Sequence, residues 1–114
     1  MALRKHDYLQ MAVKDFCDAY KIRMIHIANE GKRSKKEGYF LQRQGMIKGT
    51  VDCFMPRGNE KFNGLWMELK IPPDKPSKEQ VQFLEERLAE GYDACVCYNI
   101  DEAMKVIKNF YNLK

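Results

Sequence analysis

The chain has 114 residues, 45% of them apolar, with 20 basic and 16 acidic side chains and a formal charge of +4. That length suits a single domain spanning residues 1–114, because two separate cores would each be too small to hold together. No apolar run nears the roughly 20 residues a membrane-spanning helix needs, and the N-terminus lacks a secretory pattern, so an intracellular protein with no membrane partner is expected.

Tyr8, Ala12, Phe16 and Ala19 recur at helical spacing and predict an amphipathic helix over Asp7 to Tyr20, with these residues as its inner stripe. Arg23 to Ala28 alternates and is rich in Ile, which predicts a strand ended by the Asn29-Glu30-Gly31 turn. The next segment is basic. Between Gly31 and Lys48 stand Lys32, Arg33, Lys35, Lys36, Arg43 and Lys48, against Glu37 alone. Such a concentration of positive charge suits a polyanion such as nucleic acid, or else a solvated helix face. Lys32 to Gln44 reads either as a helix or as a loop. Its Tyr39 and Phe40 are open between core, the preferred reading, and an interface.

Two apolar runs, Gly49 to Met55 and Leu65 to Ile71, flank the turn-forming RGNEKFNG and predict a β-hairpin. After Pro72, Pro73 and Pro76, Ser77 and Gln80 have the spacing of a capping box, so a helix should run to about Glu90. Tyr92 to Tyr98 predicts another strand, and Asn99 with Glu102 starts a last helix through Tyr111. Cys17, Cys53, Cys95 and Cys97 lack the spacing of a zinc site and read as buried, reduced thiols. His6 and His26 have no partner spacing that marks a site; His26 reads as packed or surface, with contact to a groove as the alternative.

The hairpin carries the chemistry. With its turn centred near Glu60, facing residues have index sums of about 120, which sets Asp52 across from Glu68, Thr50 from Lys70 and Phe54 from Trp66. Val51, Cys53, Met55, Leu65, Met67, Leu69 and Ile71 then fall on the other face as one apolar surface. Carboxylates on facing positions have Cβ atoms about 5 Å apart, so they repel unless one takes a proton or a cation lies between them. Oxygen donors suit Mg²⁺ or Mn²⁺. Lys70 adds a positive charge on the same face, and the set matches what metal-assisted phosphodiester hydrolysis requires.

These residues resemble a known family. Gly49-Thr50-Val51-Asp52, then Gly64-Leu65-Trp66-Met67-Glu68-Leu69-Lys70, then Ser77-Lys78-Glu79-Gln80 are similar to the signature of the virus-type replication-repair nucleases (VRR-NUC), a branch of the PD-(D/E)XK superfamily. Asn29-Glu30-Gly31-Lys32-Arg33-Ser34 also resembles the preceding loop of phage-encoded members. The resemblance implies an α/β fold of restriction-endonuclease type, a mixed β-sheet flanked by helices in the order αβ(α)ββαβα. It implies that Asp52 and Glu68 bind the metal with the Leu69 carbonyl as a further ligand, that Lys70 serves the attacking water, and that Gln80 stands beside the site. Asp7 aligns loosely with a family glutamate. Val51 departs from the pattern, standing where the superfamily name expects proline.

The resulting expectation is a Mg²⁺- or Mn²⁺-dependent endodeoxyribonuclease, selective for branched DNA such as four-way junctions in phage replication, recombination or repair, and working as a homodimer in the host cytoplasm. Lys32, Arg33, Lys35, Lys36, Arg43, Lys48 and Lys78 would hold phosphates. The competing readings are a DNA-binding module of the same fold without cleavage, and a small interaction domain with a chance E-x-K.

Overall fold

The computed structural model describes residues 2–28 and 34–114. Lys32, Arg33 and the expected Asn29-Glu30-Gly31 turn lie outside the described residues. Elsewhere the chain runs α1 (Lys5–Ala19), β1 (Ile25–His26), α2 (Lys35–Arg43), β2 (Cys53–Met55), β3 (Leu65–Leu69), α3 (Lys78–Ala89), β4 (Asp93–Cys97) and α4 (Ile100–Tyr111). The four strands form one sheet in the order β1-β2-β3-β4. The first two pairings are antiparallel and β3 with β4 is parallel. A parallel neighbour cannot be reached by a hairpin, and α3 supplies the crossover. The architecture is the expected α/β fold, a mixed sheet flanked by helices.

The hairpin register is the one its turn dictates: Cys53 pairs with Met67, Phe54 with Trp66 and Met55 with Leu65. Asn59 builds that turn, its side-chain oxygen accepting the Lys61 and Phe62 N–H groups at 2.9 and 2.8 Å. The strands are shorter than the apolar runs suggest, and the ladder stops at Cys53. Beyond it the backbone turns, which corrects the expected position of Val51. Cys53, Met55, Leu65, Met67 and Leu69 join the main core with Leu9, Val13 and Cys17 of α1 and Ala103, Ile107 and Phe110 of α4. Val51 instead packs on the opposite face, with Phe83 and Leu84 of α3 and against Trp66, Ala94 and Val96. Strict alternation fails where pairing ends.

Helix α1 brings a second correction. Its buried residues are Leu9, Val13 and Cys17, whereas Tyr8 and Ala19 are exposed and Ala12 and Phe16 are half-buried. The two candidate stripes lie one residue, or about 100°, apart, and the buried one contains no polar group. Both later helix starts take the form their sequences imply. Ser77 Oγ accepts the Gln80 N–H while Gln80 Oε1 accepts the Ser77 N–H, and Asn99 accepts the Glu102 N–H. Helix α2 forms where helix and loop were both open, capped by Ser34 through the Glu37 N–H at 3.1 Å. None of its residues is buried, and Tyr39 and Phe40 are 55% and 51% exposed, which overturns their placement in the core.

Candidate active site

Asp52 sits one residue before β2, where the ladder has just ended. Its N–H, having no strand partner, donates to Glu68 Oε1 at 3.0 Å, and its Oδ2 accepts the Leu69 N–H at 3.0 Å. The backbone carbonyl of Asp52 accepts the Ile27 N–H at 2.8 Å and lies 3.2 Å from His26 Nδ1. Asp52 is thus fixed from β3 on one side and from the end of β1 on the other. Glu68 is in β3 on the face shared with Trp66 and is 1% exposed, the sole buried charged residue among those described. Lys70 follows β3, tied to β4 by its N–H to the Cys97 carbonyl at 3.0 Å, and its Nζ lies 3.3 Å from Glu68 Oε2.

These groups line an open cleft of about 690 Å³ that also contains Thr50, Gln80, Arg4, Lys5, His6 and His26. Helix α3 reaches it because Gly49, at φ +86°, lets the chain pass close to Glu79: a Cβ there would be 2.6 Å from the Glu79 Cβ. Gln80 stands at the cleft with its Oε1 held by Ser77 in the capping box.

The electrostatics are unbalanced. Burial pushes the Glu68 carboxyl up to about 8, with hydrogen bonding and like charge from Asp52 adding to the rise and the Lys70 ammonium opposing it. Burial of Glu68, with Asp52 beside it and only Lys70 in opposition, favours the protonated carboxyl. A hard divalent cation fits this pair. Two carboxylates and the Leu69 carbonyl are the sparse, oxygen-only set that Mg²⁺ takes when it retains waters. Among the described residues no three His, Cys, Asp or Glu side chains close into a ready-made metal cluster. The Glu68 carboxylate meets the Asp52 N–H and Lys70.

Sequence reasoning missed His6 at the site and kept groove contact for His26 only as an alternative. His6 Nε2 is 3.1 Å from Asp52 Oδ2 and 3.0 Å from the Leu69 carbonyl, and His26 lines the same cleft, so both histidines belong to it. The signal for His6 was its helical phase, one turn ahead of Leu9, Val13 and Cys17 on the buried stripe. Asp7, next to it, is occupied elsewhere: its carboxylate accepts the Arg4 N–H at 2.8 Å and is held below its usual range mainly by that bond. Lys35, Lys36 and Arg43 are exposed on α2, and neither they nor Lys48 and Lys78 line the cleft. Lys48 lies 3.8 Å from Glu79. No helix among the described residues is long and apolar enough to cross a membrane.

No family model matches the sequence, and no curated protein matches it. A solved structure described as a "VRR_NUC domain protein" superimposes with a TM-score of 0.82 over 99% of this chain and 93% of its own, at 21% sequence identity. The chain shares the fold of that protein.

Proposed function

We propose that this chain is a nuclease of the VRR-NUC family: a divalent-metal-dependent endodeoxyribonuclease that hydrolyses phosphodiester bonds in branched DNA, such as four-way junctions, during phage replication, recombination or repair. The observation that carries the reading is the buried Glu68 set against Asp52 with the Lys70 amine 3.3 Å from its carboxylate. The shared fold supports it.

Asp52, Glu68 and the Leu69 carbonyl would hold Mg²⁺ or Mn²⁺. Such an ion supplies charge stabilisation at the phosphate and a more acidic water. Glu68, whose carboxyl burial pushes up to about 8, would have to release its proton to solvent to serve as an ionised ligand. Lys70, fixed through its backbone to β4, donates a hydrogen bond to the attacking water or the phosphate oxygen beside it. Gln80 at the cleft helps orient the same groups. Arg4 and Lys5 at the cleft, and Lys35, Lys36, Arg43, Lys48 and Lys78 farther out, neutralise backbone phosphates, and Lys32 and Arg33 share that role in this reading. A homodimer suits the task, since one site per chain cuts one strand and a twofold pair addresses two. The exposed Tyr39 and Phe40 of α2 are the surface offered for it.

The test is incubation of purified protein with end-labelled four-way junction, flap and linear duplex, each with Mg²⁺, Mn²⁺ or chelator. Metal-dependent products from the junction in preference to the duplex are expected. Bound but uncut DNA with both metals would leave a binding module in place of an enzyme.

A further inference from the structure

Histidine 6 makes the closest approach to the acidic pair of any side chain from outside the hairpin. Its Nε2 stands 3.1 Å from Asp52 Oδ2 and 3.0 Å from the Leu69 carbonyl oxygen, which are two of the three groups assigned to the cation. Both partners can only accept, so Nε2 carries the hydrogen in this state. Neighbouring ligand atoms around an octahedral ion with bonds of 2.0–2.1 Å are about 3 Å apart, the spacing found at both contacts. His6 Nε2, from α1, thus stands at ligand-to-ligand distance from one oxygen just before β2 and from another at the end of β3. The tautomer with its hydrogen on Nδ1 presents the Nε2 lone pair to a metal. The position of His6 on α1 is fixed by the packing of Leu9, Val13 and Cys17 in the core, so the ring is held at the site by the fold.

We propose that His6 Nε2 is a direct nitrogen ligand of the divalent ion and biases the site toward Mn²⁺ over Mg²⁺. The inference rests on the metal-dependent reading above. A carboxylate and carbonyl set serves both ions, but imidazole nitrogen suits transition metals far better than Mg²⁺. The alternative is that His6 only positions Asp52 through its hydrogen bond, as a residue behind the ligands does.

The experiment uses the whole protein and Mn²⁺ alone, without DNA. Pulsed electron paramagnetic resonance of the wild-type protein should show nitrogen coupling to bound Mn²⁺, changed by ¹⁵N-histidine labelling, retained in His26→Ala and lost in His6→Ala. Calorimetric titration should show that His6→Ala weakens Mn²⁺ by about tenfold or more while Mg²⁺ changes less than about threefold. Bound Mn²⁺ without histidine coupling in the wild type, or coupling that disappears in His26→Ala instead, overturns the assignment and leaves the nuclease reading standing. Failure of the wild type to bind Mn²⁺ at all removes both. Because the decisive spectrum is that of the unmodified protein, poor folding of a variant does not blunt the test.

Discussion

Glu68, in β3, and Lys70, just after its end, are separated by one residue, and that spacing sets the ammonium beside the buried carboxylate. Both side chains leave the same face, and the cleft they enter excludes enough water to raise the Glu68 carboxyl to about 8. The sign of the consequence follows. Between its ordinary value of 4.5 and about 8, Glu68 holds a proton in the fold that the unfolded chain has released. The metal-free protein is therefore most stable below about pH 4.5 as far as this group is concerned, and loses that contribution as pH rises toward 8. Thermal melting in chelator should show the loss, Glu68→Gln should flatten it and raise the midpoint at pH 8, by about 5 °C for each kcal/mol recovered. Lys70→Ala should reduce cleavage by about a thousandfold or more while leaving DNA affinity within a few-fold, read by single-turnover cleavage beside a binding assay. Retained turnover would take the water-directed role away from Lys70.

At the scale of elements, the hairpin was legible in the sequence because two signals agreed, the turn centre and the alternation, and they fixed Phe54 opposite Trp66. The same parity misplaced Val51, because parity holds only while the ladder continues and β2 begins at Cys53. Asp52 lies at that break, which is why its N–H is available to the Glu68 side chain. In α1 the apolar period was legible but its phase was ambiguous by one residue, and choosing the Tyr8 stripe hid His6, which lies in phase with Leu9. No local pattern announces that a histidine will meet residues 46 and 63 positions away. Gly49 joins the pieces, and Gly49→Ala should destabilise by about 1–3 kcal/mol through its positive φ and its collision with Glu79, measured by the urea midpoint.

Among the described residues, two groups of cations bear on the proposed chemistry. Arg4, Lys5 and Lys70 line the cleft, while Lys35, Lys36 and Arg43 project from α2, which contributes no buried residue to either core. The sequence showed the second group and, in the first, Lys70, but not Arg4 and Lys5, since a run of cations is visible in a sequence whereas cations gathered from separate elements are not. If α2 contacts DNA, replacing Lys35 and Lys36 together by Ala should lower the salt-dependence slope of binding by up to about 1.8, since each phosphate contact contributes about 0.9. An unchanged slope would place α2 away from the DNA.

The proposed chemistry needs a divalent partner for Asp52 and Glu68. Calorimetric titration of Mn²⁺ into the metal-free protein and into Asp52→Asn tests it most directly. Saturable binding by the wild-type chain, weakened at least about tenfold in the variant, is the result the account predicts. Equal affinity in the two proteins, or no binding to the folded wild type, would contradict it.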